Sequence, residues 1–338
     1  MLPFAGWEMP IQYAGIVSEH RAVREAVGVF DISHMGELEV TGHGAEDALN
    51  RLLTNEVTKL GDGEGQYTLM LNESGGVIDD LILYRISQER FLLVVNASRT
   101  EEDVSWITAG LGEEATLLDR SQELGGIAVQ GPAVSSLWDS LESPLALPER
   151  NGIVEDGSSG VVLCRTGYTG EDGFELFAPI DAIGSWFREI LEKGATPCGL
   201  GSRDTLRLEK CYPLNGNDLD SDHTPLEAGL GFFVSLEKTF EFPGRAALLE
   251  QKEKGLATRL AAIRMTGKGP PPRHGYEVRD EEGEVVLGEL SSGSLSPTLG
   301  VGIGMAYLPV ASARPGTPVT VEIRGRIFPA EVVKKPFL

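Results

Sequence analysis

Residues 72–85 read NESGGVIDDLILYR, and the fold is decided in that stretch. Gly75 and Gly76 stand together where the chain must reverse, and glycine enters positive φ without steric cost. Beyond them the residues alternate as a strand does. Val77, Leu81 and Leu83 share one face, while Ile78, Ile82 and Tyr84 share the other. Both faces are apolar, which predicts a strand covered on both sides. Asp79 and Asp80 interrupt the run and point in opposite directions. A bare carboxylate in such a strand is costly unless it is paired or hydrogen-bonded. Asp79 falls on the face that opens at the turn, where solvent or a turn amide satisfies it. Asp80 stands among Ile78, Ile82 and Tyr84 and has no such outlet. Two readings are open for Asp80: a carboxylate held by backbone N–H groups, or one aimed at the amine of a substrate.

The strand's partners lie on either side in sequence. Residues 65–71 (GQYTLML) pair with it through the NESGG turn and carry Tyr67. Residues 91–96 (FLLVVN) form the next strand, with Asn96 at its end and a helix from about residue 100 behind it. Upstream, residues 3–13 (PFAGWEMPIQY) read as an extended segment packed by Phe4, Trp7 and Tyr13. Ser18 is expected to cap a short helix. Residues 29–42 then alternate as one strand kinked at His34–Gly36, with His34 in a structural hydrogen bond. Downstream, residues 160–177 form a second hairpin, GVVLCRT and FELF around the loop GYTGEDG. Glu175 is a second carboxylate set among apolar neighbours there. Ile183, Trp186, Phe187, Ile190 and Leu191 mark the buried stripe of an amphipathic helix. A further helix starting near Ser202 puts Arg203 and Arg207 on one face, where surface ion pairing is the ordinary role.

Residues 1–240 thus interleave hairpins with helices, an α+β pattern. After the linker EQKEKGLATR the text changes. Residues 257–338 repeat short alternating runs broken by glycine and proline, which predicts a small all-β domain, barrel or jelly roll.

Composition narrows the function classes. The 338 residues are 41% hydrophobic and 24% charged, as in a globular protein. A net charge of −22 argues against a nucleic-acid surface, which needs a basic stripe. No apolar run reaches the ~18 residues of a membrane-spanning helix, and the start lacks the charged region of a signal peptide. A cytoplasmic protein without membrane or nucleic-acid partners is expected. Cys164, Cys198 and Cys211 have no metal-ligand spacing and cannot all pair, so reduced thiols are expected. The aspartates before His223 lack the glycine and distal glutamate of a calcium loop, and no metal is expected. No dinucleotide fingerprint, phosphate-binding loop or G-x-S-x-G elbow occurs.

Taken in order, PFAGWEMPIQY, FDISHMGE, QYTLMLNESGGVIDDLI, VVNAS, VQGP, RTGYTGEDGFEL, GLGSRDTLRLE and TPLEAGLG resemble the glycine cleavage T-protein family. The resemblance runs over nearly the whole chain, including SSGSLSPTLGVGIGMAYL near its end. It implies two interleaved α+β, ferredoxin-like subdomains and a C-terminal β-barrel, a three-domain clover around a central folate channel. It implies an aminomethyltransferase that takes the methylene carbon from the aminomethyl-dihydrolipoyl arm of the H-protein and gives it to tetrahydrofolate. Asp80 matches the second aspartate of the family's G-G-x-x-D-D motif and is the implied catalytic carboxylate, in line with the alternation argument. Glu175 matches the pterin-recognising glutamate of GEDGFE. Arg203 matches the arginine of the A-R-D motif, in the active-site region or the H-protein contact, with Ser202 in place of the alanine. Tyr67, Asn96 and Tyr168 match positions lining the folate channel. Phe232 stands where tryptophan is common in the family, read as a conservative packing change.

Two rivals share the scaffold. One is a folate-dependent demethylase with a different one-carbon donor. The other is a non-catalytic folate-binding protein of iron–sulfur assembly or tRNA modification, marked by K-G-C-Y-x-G-Q-E. Residues 209–218 (EKCYPLNGND) keep Cys211 and Tyr212 of that motif but not its first glycine or its Gln-Glu. The complete motifs around Asp80 and Glu175 favour the aminomethyltransferase.

Overall fold

The structure, a computed structural model, describes residues 1–141 and 143–338. It begins to make sense at the turn before the central strand. The Asn72 side-chain oxygen accepts from the Ser74 amide (3.0 Å), the Ser74 hydroxyl (2.7 Å) and the Gly76 amide (2.9 Å). That local bonding is what asparagine offers a turn. The two glycines serve different needs. Gly75 has φ 87°, in the left-handed region. Gly76 is required for space, because a Cβ there would lie 1.8 Å from the Ser221 carbonyl oxygen.

The strand Val77–Ser87 lies second in a five-stranded sheet, between Glu64–Leu71 and Arg90–Val95, with Gly36–Thr41 and Thr116–Asp119 beyond. Its two faces are not equally covered. Val77, Asp79, Leu81 and Leu83 are fully buried, whereas Ile78, Asp80 and Ile82 are half-buried. Asp79 therefore does not meet solvent as its place by the turn implied; it is 0% exposed. The helix Thr100–Leu111 covers that face, and its Asp103 reaches Asp79.

A second sheet has six strands in the order Ile153–Asp156, Val161–Cys164, Gly173–Pro179, Leu124–Gln130, Gly28–Asp31 and Thr196–Cys198. All its neighbours are antiparallel except the last pair. Its core joins Phe174 and Leu176 to the helices Val134–Asp139 and Ile183–Glu192, with Trp138 edge-on to Phe174 at 4.9 Å. Residues 29–42, read as one kinked strand, are split between the sheets: Gly28–Asp31 in one, Gly36–Thr41 in the other. The kink is the crossing point, which is how two α+β halves become interleaved.

The C-terminal strands close a barrel, Thr258–Met265, Gly302–Pro309, Val286–Leu295, Glu277–Arg279, Pro318–Ile323 and Arg326–Val333, with the last pairing back to the first. Val278, Leu290, Leu308, Val319, Val321 and Val332 fill it. Two compact units result. Met1–Met70, Asp79–Arg203 and Glu237–Phe242 form one; Leu71–Ile78, Asp204–Leu236 and Pro243–Leu338 form the other. Among the described residues no helix is long and apolar enough to cross a membrane.

Several local expectations are corrected. Leu2–Phe4 and Trp7–Met9 pair as a small hairpin, and Phe4, Trp7 and Tyr13 remain 37%, 39% and 47% exposed. The first helix, Ile16–Glu25, starts at Gly15, and Ser18 donates to the Gly15 carbonyl instead of capping. No side chain caps the helix; Glu19 instead ties down the approach to it, its Oε1 accepting from the amides of Tyr13, Ala14 and Gly15. The helix expected near Ser202 begins at Leu200, so Ser202 is buried within it. Arg207 is no surface partner: it is 2% exposed and bonds Asp218 at 2.6 Å and Asp204 at 2.7 Å. Phe232 is 92% exposed, so its difference from tryptophan is not one of packing. All three cysteines are free thiols, Cys164 and Cys198 buried.

Candidate active site

Asp80 is presented on the half-buried face of Val77–Ser87, and its flanking strands supply donors to both carboxylate oxygens. Tyr67, on Glu64–Leu71, donates its hydroxyl to Oδ2 at 2.9 Å. Asn96, just past Arg90–Val95, donates its amide to Oδ1 at 3.1 Å. Burial, and then the charge of Asp80, push the Tyr67 phenol well up from its ordinary value, so it stays a neutral donor. The same Asn96 amide reaches the Asp80 carbonyl at 2.9 Å and Asp79 Oδ1 at 2.8 Å, while its backbone N–H donates to Asp79 Oδ2 at 3.2 Å. A backbone amide thus holds Asp79, while the Tyr67 and Asn96 side chains hold Asp80.

Glu175 sits on Gly173–Pro179, opposite Cys164 on one neighbour and Ala128 on the other. Thr166 donates its hydroxyl to Glu175 Oε2 at 2.6 Å, and the Tyr84 hydroxyl lies 2.6 Å from the same Thr166 oxygen. Thr166 has a single proton and spends it on Glu175, so Tyr84 is the donor to Thr166. Burial raises the Glu175 carboxyl, while the Thr166 bond and the Arg203 charge pull it back. Burial likewise pushes the Tyr84 phenol up.

Arg203 places its guanidinium carbon 4.6 Å from the centre of the Tyr168 ring, a cation–π geometry. Tyr168 also lies close enough to Tyr67 for their phenols to interact electrostatically. Burial, with Arg203 beside it, holds the His34 imidazole down to about 3, so His34 is a neutral group there. It rests edge-on to Phe4 at 5.4 Å, and its Nδ1 is buried with no partner among the described residues, unlike the bonded histidine expected.

The structure thus brings Asp80, Tyr67 and Asn96 together by hydrogen bonds, and Arg203 to Tyr168 and into the electrostatic neighbourhood of Glu175. All six are half-buried, and all six belong to the first compact unit. Sequence reasoning missed three participants. Tyr84 shares the Asp80 face by simple alternation and was findable. Asp103 shares the buried stripe of its helix with Ile107 and Leu111, and that four-residue spacing was the signal. Thr166 had none, since the loop between the hairpin strands decides where it points. Chemically, the arrangement offers one fixed carboxylate, a second carboxyl fed by hydroxyls, an aromatic face and a cation. It suits a ligand with ring amines and a planar aromatic part.

Comparison with known proteins agrees along the whole chain. The family model described as the GCVT N-terminal domain matches residues 1–238, and that of the glycine cleavage T-protein C-terminal barrel domain matches residues 258–338. A protein of Symbiobacterium thermophilum named aminomethyltransferase is 46% identical over 352 residues, covering 100% of this chain and 93% of its own. One of the same name from Halothermothrix orenii is 42% identical over 348 residues, covering 100% of this chain and 96% of its own. The crystal structure of glycine cleavage system aminomethyltransferase T from Bartonella henselae superimposes with a TM-score of 0.92 at 34% identity, covering 99% of this chain and 93% of that one.

Proposed function

The chain belongs to the glycine cleavage T-protein family, and from that premise we propose that it is the aminomethyltransferase of a glycine cleavage system, acting in the cytoplasm. It takes the aminomethyl group from the dihydrolipoyl arm of the H-protein and transfers the methylene carbon to tetrahydrofolate. Ammonia and the reduced dihydrolipoyl arm leave, and 5,10-methylenetetrahydrofolate forms. The carbon–sulfur and carbon–nitrogen bonds of the donor break, and two carbon–nitrogen bonds to the folate form. The two protons lost from the folate amines end on the thiol and on ammonia, so no oxidant or reductant is needed.

Asp80 orients the attacking folate amine, accepts its proton and stabilises positive charge on the transferred carbon. The observation that carries this reading is the restraint on Asp80: Tyr67 and Asn96 hold one oxygen each, on a strand face that is only half-buried. Such a carboxylate is already aimed before substrate arrives. Glu175 faces the adjacent N–H donors of the pterin, which two carboxylate oxygens fit side by side. Tyr67 and Tyr168 offer ring faces to the folate, and Asn96 holds the geometry of Asp80. Arg203, stacked on Tyr168, meets anionic substrate or the H-protein. The deciding experiment supplies aminomethylated H-protein and tetrahydrofolate and measures methylenetetrahydrofolate. Formation with that donor supports the reading. Product only with dimethylated nitrogen or sulfur donors would make the protein a demethylase, and none with any donor a binding protein.

A further inference from the structure

Two carboxyl groups beside Asp80 have no part in the transfer just described. Asp79 and Asp103 are each 0% exposed. Asp79 comes from the strand Val77–Ser87 and Asp103 from the covering helix Thr100–Leu111, and their carboxyls lie within hydrogen-bonding reach of each other. Asp79 accepts from Asn96 at both oxygens. Both oxygens of Asp103 are buried, and no N–H or O–H donor among the described residues reaches either one. The cation near Asp103 is Arg99, which pairs with Glu102 at 2.8 Å. Two ionised carboxylates in contact, buried and without a cation between them, are not a stable arrangement. A carboxylic acid facing a carboxylate is stable, because the acid O–H supplies the missing donor.

We propose that Asp79 and Asp103 share one proton in the resting protein, and that this acid pair is a positioning element for Asp80, acting through Asn96. The second part rests on the reading of Asp80 as the catalytic carboxylate; the first does not. The link is the Asn96 side chain. Its amide has two N–H bonds and three acceptors: Asp79 Oδ1, the Asp80 carbonyl and Asp80 Oδ1. How they are divided depends on the charge carried by Asp79. With one proton in the pair, Asn96 serves both aspartates. When that proton leaves, the doubly charged pair draws the amide toward itself and repels Asp80. The charged and titratable groups facing the pair are Asp80 on the strand and Arg99 and Glu102 on the helix side, with Tyr67 beyond Asp80. Burial raises both carboxyls, Asp103 to about 7 and Asp79 well above its ordinary value, so Asp79 holds the shared proton when Asp103 is ionised and the two titrate as a unit.

The test compares full-length wild type with Asp103→Asn and Asp103→Ala. Asparagine keeps the shape and offers Asp79 a permanent N–H donor; alanine offers none. Infrared spectroscopy first looks for the carbonyl stretch of a protonated carboxylic acid in the wild-type-minus-D103N difference spectrum. The band is expected at and below neutrality, and should vanish only when the pH has risen far enough to take the last proton from Asp79. Its absence below neutrality overturns proton sharing. The pH dependence of turnover is then measured. Once the shared proton leaves Asp79, wild type should lose activity by up to about tenfold per pH unit, as for one essential proton. Asp103→Asn should lack that limb, and Asp103→Ala should be slow throughout. Superimposable wild-type and D103N profiles, with the infrared band present, overturn the positioning role alone. Undiminished turnover in Asp80→Asn would instead remove the underlying reading of Asp80. If Asp103→Asn does not fold, Asp79→Asn, which offers its N–H to Asp103, replaces it in both measurements with the same expected and overturning results.

Discussion

Asp80 and Tyr84 stand on one face of the same strand, and each reaches into a different sheet. Asp80 is held by Tyr67 and Asn96 of the five-stranded sheet, while Tyr84 bonds Thr166 beside Glu175 of the six-stranded sheet. Strand alternation puts residues four apart on the same side, so one rigid element sets the relation between the two carboxyl sites. Substitutions at the two ends should have separable effects.

Asp80→Asn keeps the shape and the contact with Tyr67 but removes the proposed proton acceptor. Turnover should fall by about 10²-fold or more, while tetrahydrofolate affinity stays near wild type. Steady-state kinetics with H-protein donor and calorimetry with folate check the two halves. A wild-type rate would rule out the assigned role.

Glu175→Ala should weaken tetrahydrofolate binding, because it deletes the proposed acceptor for the pterin's paired donors. Tyr84→Phe removes the hydroxyl that feeds Thr166 and should act in the same direction but less. One hydrogen bond is worth about 1 kcal/mol, which is roughly a fivefold loss. Calorimetric titration of both variants gives the order, and an unchanged affinity in Glu175→Ala would move the pterin elsewhere.

Much of this was legible in the sequence, for physical reasons that can be named. The period-two pattern around Asp80 fixes a strand, and the repeated short runs after residue 257 fix a β domain, which closes as a barrel. The burial of Asp79 was misread because strand alternation says which residues share a face but not what covers it. The cover is the helix Thr100–Leu111, and its polar inner residue, Asp103, is visible only once the phase of its apolar stripe is taken seriously. Arg207 was misread in the same way. Its partner Asp218 is eleven residues away across a loop, beyond any helical spacing rule.

Arg203→Ala should lower the rate with H-protein as donor, whereas Arg203→Lys should recover part of it. Lysine keeps the charge over Tyr168 but loses the planar stacking and the fork of donors. Initial rates at varied H-protein separate a KM effect from a kcat effect. No change in either would return Arg203 to a structural role.

Arg207 tests stability rather than chemistry. It is buried with Asp218, which is 0% exposed and also accepts from the hydroxyls of Ser291 and Ser292. Arg207→Ala would leave a buried carboxylate without its cation, a loss of about 3–5 kcal/mol. Denaturant unfolding should show it as a lower midpoint. A midpoint within error of wild type would mean that the two serine hydroxyls and the Leu214 amide suffice for Asp218.

The acid pair also predicts how stability changes with pH. In the unfolded chain Asp103 loses its proton near the ordinary aspartate value of 3.8, whereas burial holds the folded value at about 7. Between these values the folded protein binds more protons than the unfolded one. Its stability must therefore fall as the pH rises through that window, and the contribution is gone above the folded value. Each pH unit inside the window is worth about 1.4 kcal/mol per proton. Asp103→Asn removes one titrating member and leaves a neutral donor in its place, so it should gain stability relative to wild type between about pH 5 and about pH 7. Urea unfolding of both proteins at the two ends measures the difference directly. A difference that does not change across that range would mean that Asp103 ionises in the folded protein as freely as in water, and the shared proton would be lost with it.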